Sequence, residues 1–364
     1  GIVVDGVKMY GEDAGVMLFG GNKKQGARYA EIINKYKASL GNVNVYNMVV
    51  PTSVEFYLPK KYSKYSSSEK ESIDYIYSCL SPDVTPIDAY SKLAEHTDEY
   101  IYLRTDHHWS PLGAYYAYTA FCEALGMEYH LITDYTEKVK DGFVGSLYGY
   151  TNDITLANAP EQFHYFLPPD VTYSVQTYYY DTLAPKNGGA LFHEYVEGAN
   201  CYGMFLCAYA IHTKITTSTK HGRKIVVFKE SYGNAFVPFL VNNFEEIYVI
   251  DIRYFGTNAV DYIKKIGATD VLFIDNCFAA NTSSLIKHIE DLYSSPTGSV
   301  VTTVTETETA PSETIASGGT KKHDKKTTEQ TAKEQKNTTQ KKEQTAVTTA
   351  PPKTETESVT ATGN

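Results

Sequence analysis

No run of apolar residues in this chain reaches the roughly 18–20 that a membrane-crossing helix needs. The sequence therefore supplies no transmembrane segment, and direct insertion into a membrane is not expected. It opens on Gly1-Ile2-Val3-Val4 without an export signal; because it does not begin at methionine, that absence excludes nothing. Cysteine is scarce and odd in number: the five, at 79, 122, 201, 207 and 277, cannot all pair, and none sits at a metal-like spacing. Cys201 and Cys207 are near enough in sequence to bridge from adjacent turns or strands, or to stay free. Basic charge is short as well. Against 33 Lys and Arg stand 43 Asp and Glu, a net charge of −10 with no basic stripe, which argues against nucleic acid or an anionic membrane surface as the main partner.

Aromatic residues are missing altogether from residue 297 onward. Of those 68 residues 20 are Thr, and nine Lys balance nine acids, so the whole net charge sits in the first part. A stretch this poor in apolar surface cannot offset its ordering entropy. We expect a folded domain over 1–294 and a disordered Thr/Lys/Glu-rich spacer over 295–364. All 32 tyrosines fall in the folded part. Such density fits an amphipathic surface of a secreted protein, or a face that stacks on sugars.

Within 1–294, short β-branched runs alternate with helical patterns, the mark of a mainly parallel sheet covered by helices. Strands are expected at 16–19, 43–50, 99–103, 224–228, 246–252 and 270–274. Helices are expected at 27–40, 234–242, 260–266 and 284–293. Ser110-Pro111 reads as a hydroxyl N-cap followed by proline at the first helical position. That helix should run to Leu125 and stop at Gly126, with Tyr116, Ala117, Ala120, Phe121 and Ala124 buried. Residues 127–222 lose the alternation and read as a β or irregular insertion over one edge of the sheet. No internal repeat is visible.

In such a sheet, ligands gather at the carboxyl ends of the strands. Asp106–Trp109, Lys229–Gly233, Asp275-Asn276 and Asp251-Ile252-Arg253 fall there. In "VVFKESYGNAF" a buried-type strand ends in Lys229-Glu230, and Ser231 sits on the turn before a helix. This is either an ordinary N-cap or a nucleophile whose own N–H and that of Tyr232 are aimed at a developing oxyanion. A nucleophilic serine needs a base, and the base needs an orienting carboxylate. Asp106 and His108, two apart, supply both, while His107 has the opposite parity and should point away. Asp106 capping a turn beside two packed histidines is the competing account. A metal site is a third, but adjacent histidines seldom reach one ion together and no further His or Cys stands at a paired spacing. No metal and no cofactor is expected.

The run "TDHHWSPLGAYYAY" resembles the signature of the bacterial DHHW protein family, which is similar to the SGNH-hydrolase-like proteins that acetylate alginate and other exopolysaccharides. The likeness extends over "VVPTSVEFYLP", "FVGSLY", "FKESYGNAF" and "YVIDIRYF", and excludes the tail. It implies an SGNH-hydrolase-like α/β fold. It also implies a Ser-His-Asp triad made of Ser231 as nucleophile, His108 as base and Asp106 as its orienter. Tyr232, Asn276, Arg253, His107 and Trp109 are candidates for oxyanion or substrate contacts, Arg253 alternatively for holding a structural carboxylate. The implied activity is an extracytoplasmic carbohydrate O-acetyltransferase or acetylesterase acting on a cell-surface glycan, with the acyl donor open. The Thr-rich tail resembles the wall spacers of secreted Gram-positive proteins. The alternative is a non-catalytic glycan-binding surface module using tyrosines such as Tyr178, Tyr179 and Tyr180.

Overall fold

The computed structural model describes residues 14–178, 189–206 and 210–296, together with the backbone of 3–4 and 7–10. The spacer expected from residue 295 lies outside them except for Ser295 and Pro296. Cys207, Tyr179 and Tyr180 also lie outside the described residues, so the Cys201–Cys207 question and most of the tyrosine surface go unaddressed.

Seven strands form the central sheet, in the order Val84–Pro86, Asn44–Val50, Asp270–Asn276, Lys224–Lys229, Glu246–Asp251, His212–Thr217, Tyr173–Tyr178. The first five run parallel, and the last two are added antiparallel. Parallel strands buried on both faces read as continuous apolar runs. In the Lys224–Lys229 strand, Ile225 and Val227 enter one core, and Val226 and Phe228 enter the other. The helices Lys23–Leu40, Ala259–Ile266 and Ser283–Ser294 cover the second face, and Pro111–Leu125 with Tyr232–Phe236 covers the first. This is the mixed α/β architecture expected, with helices on both sides of a mostly parallel sheet.

Local signals explain most boundaries. Asn22 caps the helix Lys23–Leu40, which buries Tyr29, Ile32, Ile33, Tyr36 and Leu40 and stops at Gly41 with φ 59°. Ser110 caps Pro111–Leu125 through the Gly113 N–H at 3.2 Å, and Gly126 ends it in the left-handed region. That helix is buried nearly all round. Tyr115 and Tyr118 join its core face, whereas Ala124 is exposed and Tyr116 only half-buried, stacked on His96 at 3.5 Å between ring centroids.

Several expectations are corrected. The first strand, Ala14–Met17, belongs to a separate three-stranded antiparallel sheet. Residues 99–103 form no sheet strand, because their backbone groups are used within the motif itself. Leu103 N–H donates to the His108 carbonyl, Ser110 N–H donates to the Ile101 carbonyl, and Tyr102 bridges Trp109. Val84–Pro86 takes the edge of the sheet instead. The helix placed at 234–242 begins at Tyr232 and tightens to a 3₁₀ turn over Val237–Asn242, because Pro238 lacks the N–H that an α ladder requires. The insertion contributes a hairpin, Thr136–Phe143 with Glu161–Leu167, and its other two strands extend the central sheet rather than lying over it.

Of the 28 tyrosines whose side chains are described, 11 are buried. Tyr29, Tyr36, Tyr102, Tyr118, Tyr202 and Tyr232 are buried, since each hydroxyl finds an acceptor. Tyr29 donates to Asp275 at 2.8 Å and Tyr36 to the Ile289 carbonyl at 3.1 Å.

Candidate active site

Ser231 follows the central strand Lys224–Lys229 at its carboxyl end and opens the helix Tyr232–Phe236. The turn is tight enough that a β-carbon on Gly233 would fall 2.5 Å from the Lys229 β-carbon, so only glycine fits there without a shift. Ser231 is half-buried. Among the described residues no protein group accepts its backbone N–H, which leaves that donor for an incoming oxygen.

The opposing lobe is folded around its acid. Asp106 Oδ1 accepts from the backbone N–H of His108 at 2.9 Å and faces His108 Nδ1 at 2.6 Å; Asp106 Oδ2 accepts from the Ser146 N–H at 2.8 Å. His108 Nε2 lies 2.7 Å from Ser231 Oγ, across 123 positions of sequence. Alcohol, imidazole and carboxylate thus form one hydrogen-bonded chain. Burial pushes the Asp106 carboxyl up, but His108, His107 and the Ser146 N–H outweigh it and hold it well below the usual carboxylate range. Asp106 and His108 are 4% and 3% exposed, so solvent does little to loosen their bond.

His107 does not point away as its parity suggested: its ring lies 3.8 Å from the His108 ring. Its Nδ1 sits 2.5 Å from Ser146 Oγ, and burial, with the charge of His108, lowers it to about 3, so it is neutral. Asp106, His107 and His108 each place a ligand atom within 4.8 Å of the others. A metal there would displace the His108–Asp106 and His107–Ser146 hydrogen bonds. The other candidates take up varied positions. Trp109 is wholly enclosed and gives its indole N–H to the Tyr232 carbonyl at 3.1 Å, so it packs behind the site. Arg253 spends Nε and Nη2 on Asp251 at 2.9 and 2.8 Å, and Lys229 Nζ meets the same carboxylate at 2.7 Å. Of the two roles considered for Arg253, it fills the structural one. Asn276 accepts the Ala279 N–H at 2.9 Å through Oδ1, which leaves its amide NH₂ as donor. With Met17, Thr52, Ser53, His107, Tyr232 and Phe278 it lines a cavity of about 80 Å³.

Four positions had been given no role from sequence. Glu230 lies beside Ser231: its carboxylate accepts from Tyr232 N–H at 3.1 Å and Asn276 N–H at 3.0 Å, and lies 3.2 Å from Ser231 Oγ. The Tyr232 N–H, expected to face an oxyanion, is therefore already engaged. Tyr202 stacks on the His108 ring at 3.7 Å and 10°, and donates to the Ser231 and Tyr232 carbonyls at 3.1 and 3.2 Å. Glu161, 2% exposed, receives the N–H groups of Arg104 and Thr105 at 2.8 and 2.6 Å and fixes the turn ahead of Asp106. Gly145 brings Ser146 to that acid. Glu230 and Gly145 lay within quoted motifs; nothing in the sequence marked Tyr202 or Glu161.

The signature described as "DHHW protein" matches residues 6–250. The chain belongs to the DHHW protein family. A solved DHHW family protein from Eubacterium siraeum is similar to it at 40% identity, with a TM-score of 0.75, over 80% of this chain and 96% of that one. PatB1 from Bacillus cereus, solved with a sulfonyl adduct, matches at 19% identity and a TM-score of 0.65 over 78% of this chain and 99% of that one. Its structure without the adduct matches at 19% identity and a TM-score of 0.64. At that identity the PatB1 likeness speaks for the fold alone. No match to a curated protein sequence is found. Among the described residues of this DHHW chain, no helix is long and apolar enough to cross a membrane.

Proposed function

We propose that this DHHW protein is a serine acyl-transfer enzyme, an extracytoplasmic carbohydrate O-acetyltransferase or acetylesterase. The observation that carries the reading is the continuous Asp106–His108–Ser231 chain at 2.6 and 2.7 Å. Ser231 Oγ attacks the acyl carbonyl while His108 Nε2 takes its proton. The carbonyl oxygen becomes an oxyanion within reach of the Ser231 N–H, and Asp106 holds the imidazolium that forms. Collapse expels the donor's alcohol, protonated by His108, and leaves an acyl-serine. His108 then deprotonates a glycan hydroxyl, or water, which takes the acyl group and restores Ser231.

PatB1, alike in fold, is solved with a sulfonyl adduct, the product expected when a nucleophile meets a sulfonyl electrophile. A serine activated as described would react with the same class of reagent. The glycan acceptor, the absence of a cofactor and the cell-surface location follow from the resemblance to exopolysaccharide acetylating proteins. A tyrosine-based binding module has less behind it, since Tyr178 is half-buried against His212 at 4.7 Å between ring centroids.

Acetate release from an activated aryl acetate, with and without an oligosaccharide acceptor, tests the proposal. Turnover in the parent, absent from Ser231→Ala and partly diverted to acetylated sugar, is the expected result. A folded parent that neither hydrolyses nor transfers, or turnover that survives Ser231→Ala in full, contradicts it.

A further inference from the structure

The acidic composition conceals a basic rim. Lys60, Lys61 and Lys64 lie on the 3₁₀ turn Lys60–Tyr65, and Lys23 and Lys24 open the helix Lys23–Leu40; all five are exposed. Sequence reading finds no stripe because the two groups are more than thirty positions apart. The fold joins them. Ser66 Oγ accepts the Phe19 N–H at 3.0 Å, Ser67 N–H donates to the Phe19 carbonyl at 2.7 Å, and Ser67 Oγ donates to the Gly20 carbonyl at 2.6 Å. The loop just before Lys23 is therefore laced to the residues just after Tyr65.

The same loop reaches the site. Phe19 meets Phe278 edge-on at 5.2 Å, and Phe278 lines the cavity with His107, Tyr232 and Asn276.

Three features set these lysines apart from an ordinary solvated surface. Among the described residues none of the five has a carboxylate in salt-bridge reach, whereas the neighbouring Lys70 is paired with Asp74 at 2.5 Å. Two of them stand in the first turn of a helix that carries no acid there, where a cation is opposed by the helix dipole. Three lie over tyrosine faces, Lys61 on Tyr62 and Lys64 on Tyr65 at 4.9 Å and Lys23 on Tyr75 at 5.4 Å. Tyr65 is 55% exposed. Ammonium groups interleaved with ring faces suit a polymer that alternates anionic groups with sugar rings.

We propose that the Lys23/Lys24–Lys60/Lys61/Lys64 rim docks an anionic polysaccharide, bearing carboxylate or phosphate groups, and leads it toward Ser231. The proposal names the glycan class for the acyl-transfer reading and rests on it. Carboxylate and phosphate share the chemistry that lysine recognises, so two probes separate them: polygalacturonate and poly(glycerol phosphate).

Retention in affinity electrophoresis is measured for the full chain on each probe, on neutral dextran, on duplex DNA and on anionic phospholipid vesicles, at low and high salt. The comparison variants are Lys60→Ala/Lys61→Ala/Lys64→Ala and Lys23→Ala/Lys24→Ala. The parent should be retained by at least one anionic glycan at low salt, released at high salt, and not retained by dextran. Each variant should bind about tenfold more weakly while turning over a small uncharged ester at the parent's rate. The proposal is overturned if the parent ignores both anionic glycans, binds dextran equally, or binds only DNA or vesicles. It is also overturned if the variants are retained like the parent. A parent that binds anionic glycan through these lysines yet turns over no ester instead counts against the acyl-transfer reading alone.

Discussion

A β-carbon on residue 145 would lie 2.3 Å from the β-carbon of Asp106 and 2.5 Å from its Oδ2. Gly145 therefore lets a second loop close on the acid and present the Ser146 N–H to it at 2.8 Å. Gly145→Ala must push Asp106 or the loop away. A displacement of about 1 Å at a catalytic group can cost ~100-fold in rate, so we expect kcat/KM to fall by about that factor. Ester hydrolysis measured alongside circular dichroism distinguishes this from unfolding.

Asp106→Asn keeps the shape of the side chain and removes its charge. The amide cannot hold His108 in the orientation and tautomer that accepts the Ser231 proton. Turnover should fall roughly 10⁴-fold, by analogy with the same change in a known triad. Tm should fall as well, since the ionised carboxylate held by His108 and the Ser146 N–H stabilises the fold, so turnover is measured where circular dichroism shows the variant folded.

Glu230 ties the serine turn to the next strand end. Glu230→Ala leaves the buried Tyr232 N–H without its acceptor, a cost of about 1–3 kcal/mol, and also frees the Asn276 N–H. Glu230→Gln keeps one oxygen and should be milder. Denaturant unfolding ranks the two, and the rate of Ser231 acylation should follow the same order.

The stability that two buried carboxyls lend this fold should decline as pH rises from about 4 to about 8. Burial raises the Asp275 carboxyl to about 8, helped by the nearby Glu230, against the Tyr29 hydrogen bond, and burial raises Glu69 likewise to about 8. Unfolded, both ionise near 4. The folded state therefore holds protons that the unfolded state releases, and their stabilising contribution, complete at low pH, is lost as pH passes through 8. Asp275→Asn, which mimics the protonated form, should flatten the fall of Tm over this window. Thermal melts at intervals between pH 4 and 9 check it, with the fall levelling off above 8.

Much of this arrangement is legible in the sequence because it rests on short-range rules. Ser110-Pro111 and Gly126 bound their helix through capping chemistry, and the strand Lys224–Lys229 declares itself by being apolar throughout. Asp106 and His108 show their parity in two residues. What stays hidden is settled by distant partners. Glu161 closes on Thr105 from 56 positions away, and Tyr202 reaches the Ser231 carbonyl from a turn with no motif. Residues 99–103 have strand composition but give their hydrogen bonds to their own lobe, a choice made by tertiary context rather than propensity.

The central claim is that Ser231 is a nucleophile activated by His108, and reaction with a fluorophosphonate followed by intact and peptide mass measurement tests it most directly. The parent should gain one adduct, located on Ser231, while Ser231→Ala gains none and His108→Ala reacts far more slowly. A folded parent that stays unlabelled, or one labelled equally well after His108→Ala, contradicts the account.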